Sequence, residues 1–394
     1  MSHVSVFKDE SKLDINYLPV RILHRDLENR LLMEFFSFLT HCPDRMSQRV
    51  LVVGEVGTGK TVFCQVFGRS ISVEMGKRGI KFRYIHVNCR EYRGNLLQIL
   101  HQVIVGFQPN FPSRGYSIGE ILKSLLQLFE SEQVFVVLAL DEFDSLIEKE
   151  GSDAVYELTR IQEMCQGKPH RVSFIFIQRR LSALKVLDDS AQSTLQSNVI
   201  RLERYGKESL VDILGERVRL AFEVGVVAED VVELVAELAA SKLGNARFGI
   251  ELLWRSGKYA DAQGVKCVEP ECVRQAVSAI LPTFKRNEVN GLELHEKFLL
   301  LAVARFFKES KEAFASLVEI EDVYGVVCEE YGQAPYSHTQ VWKYLQQFAQ
   351  KGIVNAEVVS GVSRGRSTRV SLPLVSAVVL ERELFELLEM EFGS

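Results

Sequence analysis

Apolar and polar positions alternate in two rhythms along the first half of the chain. Strand-like runs at 49–54, 82–88, 134–141 and 172–178 are separated by stretches with helical spacing, such as 60–78 and 118–131. Strands that alternate with helices predict a mainly parallel sheet covered on both faces. Residues 134–140 are apolar at every position, as a central strand buried on both sides requires.

From about Gly206 the strand signal stops. Stretches 209–224, 231–242, 246–263 and 270–280 read as helices, followed by Pro282 and a connector over 283–291. The last hundred residues have a third pattern. Helices are predicted at 294–308 and 319–331, and the Gly332-Gln333-Ala334-Pro335 stretch interrupts them. Ser337 reads as the N-cap of a helix to about Gln350, and Gly352 ends it. Strands at 353–359 and 368–372 then flank a loop at 360–367, and a closing helix runs over 377–391. Two helices, a turn, a third helix and a hairpin describe a winged helix. The fold class is α/β, divided as 1–205 (sheet-and-helix core), 206–285 (helical unit) and 286–394 (winged helix).

Composition adds exclusions. The 394 residues are 47% hydrophobic and 25% charged, with net charge −5. No global basic field draws the chain to nucleic acid, so any such contact must be local. No apolar run is longer than 134–140, which is far too short to span a bilayer, and no signal peptide is visible. A cytoplasmic protein without a membrane partner is expected. The seven cysteines, at 42, 64, 89, 165, 267, 272 and 328, form no Cys-x-x-Cys pair, which argues for reduced, mostly buried thiols and against zinc.

Two motifs carry chemistry. Gly54-Glu55-Val56-Gly57-Thr58-Gly59-Lys60-Thr61 fits Gly-x-x-x-x-Gly-Lys-Thr, between a predicted strand and a predicted helix. Its glycines allow positive φ, so successive N–H groups can turn toward phosphate, and the helix N-terminus faces the same charge. Lys60 is expected on the β/γ-phosphates and the Thr61 hydroxyl on Mg²⁺. ATP or ADP with Mg²⁺ follows as the ligand. The second motif, Leu138-Ala139-Leu140-Asp141-Glu142-Phe143-Asp144, is an apolar strand ending in acids. Asp141 is expected to hold Mg²⁺ through water, and Glu142 to polarise the attacking water. Alone, such a pair could be a solvated turn; beside a phosphate loop it reads as its partner.

Together with the helical unit and the winged helix, these motifs make the chain resemble the archaeal ORC/Cdc6-type replication initiators, AAA+ ATPases that recognise replication origins. The resemblance covers nearly the whole chain and implies an AAA+ P-loop core, a helical lid and a DNA-binding winged helix. It implies that His24 and Arg25 lie beside the adenine, and that Arg247, in Gly244-Asn245-Ala246-Arg247, touches the phosphates as the sensor-2 arginine. It implies origin double-stranded DNA as partner, with other initiator paralogues and the replicative helicase, at the nucleoid. Two departures matter. Where the family carries a sensor-1 Asn, this chain reads Ile177-Gln178-Arg179-Arg180; where it carries an arginine finger, the chain reads Leu187-Asp188-Asp189-Ser190. Both positions serve hydrolysis, so a weak or inactive ATPase that holds nucleotide as a switch is expected.

Residues 286–394 hold 11 basic and 16 acidic residues, yet 336–371 carry five basic residues against one acid. The third winged-helix helix is expected in the major groove with Ser337, His338, Gln340, Lys343 and Tyr344 exposed, and Val341, Leu345 and Phe348 inward. Trp342 fits either face. Arg364 and Arg366 sit at the hairpin tip, where arginines enter the minor groove or clamp phosphate, and Arg369 lies on the return strand. Arg114, in the stretch 106–119, is a further candidate that the resemblance implies. The competing reading is a signalling ATPase fused to a winged helix, acting in transcription or as a protein-interaction switch. A clamp loader fits less well, because a terminal winged helix has no place there.

Overall fold

The computed structural model describes residues 5–161, 169–280, 289, 291–360 and 366–392. The chain divides into two compact units, one spanning Leu18–Tyr205 and one combining the N-terminal residues up to Tyr17 with Gly206–Ser394.

The first unit is built on a five-stranded sheet among the described residues, in the order β2-β3-β4-β1-β5 and parallel throughout. The strands are β1 (Arg49–Val53), β2 (Phe82–Asn88), β3 (Phe135–Asp141), β4 (Val172–Gln178) and β5 (Val199–Arg201). The helices are α1 (Asp26–Phe35), α2 (Lys60–Lys77), α3 (Leu96–Val105), α4 (Ile118–Ser131), α5 (Asp144–Thr159) and α6 (Asp189–Leu195). Successive strand residues point to opposite faces. Val50, Val52, Val137, Ala139, Ile175 and Ile177 pack with Phe63, Phe67 and Ile71 of α2 on one side. Leu51, Val53, Val136, Leu138, Leu140, Phe174 and Phe176 pack with α3, α4 and α5 on the other. Both β3 and β4 are buried at all seven positions, as central strands must be.

In the second unit, α7 (Lys207–Ala221), α8 (Glu229–Ser241), α9 (Ala246–Gln263) and α10 (Pro270–Ile280) form the helical part. The winged helix follows as α11 (Leu294–Glu309), β6 (Phe314–Ser316), α12 (Leu317–Glu330), α13 (His338–Gln350), β7 (Asn355–Ser360), β8 (Arg366–Ser371) and α14 (Ala377–Phe392). The sheet is antiparallel, in the order β6-β8-β7. The third strand, β6, is a finding: at three residues it is too short to announce itself by alternation.

The expected division at 1–205 differs at its N-terminus. Residues 5–17 belong with the helical part: Lys8 and Asp9 donate backbone N–H groups to Ala221 O, and the Phe7 ring lies 4.8 Å from Phe222. Glu10 accepts from Trp254 and Lys258 of α9 at 2.6 Å each. A 13-residue tail that docks some 200 residues away leaves no local pattern to read.

Candidate nucleotide site and nucleic-acid interface

The phosphate loop leaves the end of β1 and enters α2. Gly57 and Gly59 adopt φ of 83° and 84°, and Gly59 is the N-cap of α2 with no side chain capping it. The first N–H groups of an 18-residue helix therefore face the loop, as an anion site requires. Gly54 is required for a different reason. A Cβ there would stand 2.7 Å from both Leu202 O and Thr58 Oγ1. Thr58 is fully buried and its hydroxyl donates to Glu55 O at 2.9 Å, which fixes the curve of the loop. Lys60 folds back over it, donating to Gly54 O at 2.6 Å and Glu55 O at 3.0 Å. Val56 is exposed at the tip.

Strand β3 carries the acids to the same place. Thr61 Oγ1 donates to Asp141 Oδ2 at 2.6 Å, so a hydroxyl and a carboxylate 80 positions apart meet at the start of α2. His86 Nε2 lies 3.1 Å from the same oxygen, and its Nδ1 lies 3.2 Å from Tyr84 Oη. Burial opposes ionisation of Asp141, but hydrogen bonds from His86 and Thr61 outweigh it and hold the carboxyl below its usual range. Burial lowers Lys60, against the pull of Asp141, Glu142 and Asp144. Oxygen donors at Thr61 and Asp141, with a lysine and free helix N–H groups beside them, suit a hard divalent cation and a polyphosphate. Sequence reasoning missed His86. Its polar side chain inside β2, on the strand that pairs with β3, was the available signal.

Glu142 has φ of 50°, uncommon outside glycine. Its N–H donates to Asp141 Oδ1 at 2.8 Å and its carbonyl accepts from Ser145 N, so its backbone is fixed. Its carboxylate accepts from Arg179 Nη2 at 2.9 Å, while Arg179 N donates to Asp144 Oδ2 at 3.1 Å. The next residue, Arg180, donates to both Glu55 oxygens at 3.0 and 3.4 Å. Two arginines at the end of β4 thus each hold an acid of the site. Ser190 lies in the first turn of α6, which Asp188 caps by accepting from Ala191 N at 2.8 Å.

Arg25 is almost fully buried, and its guanidinium lies 4.2 Å from the Tyr205 ring. It donates to Tyr205 Oη, Glu203 O and Glu28 Oε1, so it ties the start of α1 to the end of the unit. His24, exposed, takes φ of 57° beside it. Arg247 is exposed in the first turn of α9, which Asn245 caps through Phe248 N at 3.2 Å. It belongs to the other unit.

On the winged helix, Ser337, His338 and Lys343 are exposed and Gln340 half-buried. His338 Nδ1 lies 2.7 Å from Glu321, an exposed pair that holds the imidazole at the helix start. Val341, Leu345 and Phe348 are buried. Tyr344 corrects the expectation. It is buried in the same core, because it lies three residues after Val341 and four before Phe348, on the inward stripe. Trp342 faces outward. Arg369 is a second correction. Both its terminal nitrogens bond Glu233 of α8, at 2.5 and 2.6 Å, and its guanidinium stacks on Phe314, so it is committed inside the unit. Arg364 lies outside the described residues, and of Arg366 only the β8 backbone is described. Arg114 is exposed between α3 and α4, where Phe111 and Tyr116 pair at 4.9 Å and Phe107 packs on Phe129.

Known proteins carry the same sequence of parts. Family models match in order: an AAA domain over 45–187, a Cdc6 AAA+ ATPase-type lid domain over 211–278, and a CDC6 C-terminal winged helix domain over 287–382. Similar structures include Cdc6p from Pyrobaculum aerophilum (TM-score 0.85, 27% identity, covering 98% of this chain and 100% of that one). The Aeropyrum pernix ORC1 protein, solved in complex with DNA, matches with TM-score 0.63 and 28% identity over 96% of this chain and 97% of that one. ORC1-type DNA replication protein 2 of Sulfurisphaera tokodaii is 30% identical over 394 residues, spanning 98% of this chain and 93% of the relative. With its phosphate loop, lid and winged helix in that order and near-complete coverage at this identity, the chain belongs to the ORC1/Cdc6-type family of DNA replication initiators.

Proposed function

We propose that the chain binds ATP or ADP with Mg²⁺ at the phosphate loop, recognises origin double-stranded DNA through its winged helix, and turns ATP over slowly. One observation supports the nucleotide reading most: the 2.6 Å contact between Thr61 and Asp141, which joins the loop and the acidic strand end at the helix N-terminus. In this reading the loop N–H groups and Lys60 hold the phosphates, and Thr61 and Asp141 hold the cation, which supplies charge neutralisation on the β/γ oxygens. Arg25 acts on the adenine side indirectly, by ordering the segment that carries His24. Arg247 is the proposed phosphate contact from the lid.

Slow turnover is supported by Arg179 and Ser190, where the family resemblance leads one to expect an asparagine and an arginine. The DNA reading is supported by the exposed Ser337, His338 and Lys343 and the half-buried Gln340 at the start and along one side of α13, and by Arg364 and Arg366 in the wing. The A. pernix ORC1 structure with DNA supports it by kinship. Arg369 is left out of the DNA set because Glu233 engages it. The alternative, a winged-helix ATPase acting in transcription, predicts a different map. Genome-wide occupancy with one or a few peaks at replication starts supports the initiator; many promoter peaks would replace it with the alternative.

A further inference from the structure

The Arg179–Glu142 contact invites a role beyond the loss of an asparagine. Glu142 is the candidate base, and three features bear on where its carboxylate points. Its backbone is held at φ of 50° by a bond to Asp141 and another from Ser145, so few side-chain directions remain. One of its oxygens is taken by Arg179 Nη2 at 2.9 Å. Arg179 is itself anchored, because its backbone N–H donates to Asp144 Oδ2. A side chain fastened at its root and paired at its tip is biased toward Glu142. Lys60 and Arg179 are the cations within electrostatic reach of one another here, with Asp141, Glu142 and Asp144 as the acids.

We infer that Arg179 is a positioning residue that restrains Glu142 from the attacking water, so that part of this chain's slow turnover comes from a removable contact. The inference rests on the proposed roles of Glu142 and of the nucleotide site. In hydrolysis the water oxygen bonds to the γ-phosphorus, the bond to the β-bridging oxygen breaks with its electron pair leaving on ADP, and the water's proton passes to the base. A carboxylate oxygen that already accepts a charge-assisted hydrogen bond is a poorer acceptor for that proton and is turned toward the arginine. The pair is open to solvent, with side chains 44% and 33% exposed. An exposed pair of this kind biases its partner by a factor of about five at most, so the restraint is reversible.

The test is single-turnover hydrolysis of γ-labelled ATP with Mg²⁺ by the full chain, comparing wild type, Arg179→Ala, Glu142→Gln and the double variant. Arg179→Ala keeps the backbone bond to Asp144 and removes only the exposed guanidinium. The expected result is a slow wild type, a gain of about fivefold in Arg179→Ala with nucleotide affinity within twofold, and no gain in the Glu142→Gln background. A wild type that is slow and an Arg179→Ala variant that is no faster would overturn the restraint while leaving the slow-switch reading in place. A gain that persists without Glu142, or that appears as changed affinity and not rate, would overturn it too. An ordinary wild-type rate that drops on Glu142→Gln would overturn the slow-switch reading itself, and the restraint with it.

Discussion

Arg369 of β8 and Glu233 of α8 form a two-pronged ion pair, 2.5 and 2.6 Å long, that joins the wing to the lid. Around it Lys207 reaches Glu233 at 3.0 Å and Glu237 at 3.4 Å, and Glu237 accepts from Asn355 and Ser371 of the wing strands. Arg274, fully buried, donates to Leu372 O at 3.0 Å and Glu312 O at 3.1 Å from the same side. The wing therefore cannot shift without breaking polar contacts to the lid helices.

The pair gives a pH dependence. Hydrogen bonds from Arg369 lower Glu233 to about 2 from its ordinary 4.5, with burial opposing and Lys207 assisting. A depressed carboxyl stabilises the fold above about pH 4.5, and that contribution disappears as pH falls toward 2. Since Glu233 is about a third exposed, solvent screening reduces the contribution to about 1 kcal/mol. Glu233→Gln is expected to destabilise the chain by that amount in urea unfolding at pH 7, with the difference from wild type closing between pH 4.5 and 2.

Nucleotide affinity is expected to depend on the loop lysine and on the proposed cation ligands in separable ways. Lys60→Ala removes the charged donor and is expected to cost about 10- to 100-fold in ATP affinity, measured with a fluorescent analogue. Thr61→Val and Asp141→Asn are expected to act through the cation. Chelating Mg²⁺ is expected to weaken wild-type binding and to leave both variants' already weaker binding almost unchanged.

The wing arginines are expected to differ in their part in DNA binding. Neutralising Arg364 and Arg366 together is expected to weaken DNA binding and to lower the slope of log affinity against log salt by about two, one per lost phosphate contact. Arg369→Ala is expected to leave that slope unchanged, because its guanidinium is spent on Glu233. An unchanged slope in the double variant would remove the wing from the interface.

The N-terminal tail has its own weak point. A Cβ on Gly257 of α9 would stand 2.3 Å from Phe7 Cζ and 2.8 Å from Phe222 Cε1. Gly257→Ala is expected to cost about 1–3 kcal/mol by overpacking, and to appear as faster protease cleavage within residues 5–17.

Most of the fold is legible in the sequence, because strands and helices of ordinary length carry their own periodicity. The runs at 82–88 and 172–178 are β2 and β4 to the residue, and 246–263 is α9. What escapes is short or non-local. Strands β5 and β6 have three residues each, and the docking of residues 5–17 onto α9 involves Glu10 and Trp254, 244 positions apart. In the site, the loop and the acids were readable as motifs, since their chemistry demands those spacings. The contacts of His86, Arg25 and Arg179 were not, because each depends on which distant segments the fold brings together. Tyr344 was expected on the exposed face, while its spacing from Val341 and Phe348 places it on the buried one.

In the proposed function, nucleotide is held at residues 54–61 and DNA is recognised at discrete sites by the winged helix. Nuclease footprinting of the full chain on its own organism's DNA, with ATP, with ADP and with neither, tests it most directly. One or a few discrete protected segments are expected, with occupancy lost in the Arg364 and Arg366 double variant. Uniform weak protection everywhere, or an unchanged footprint with the double variant, would contradict it.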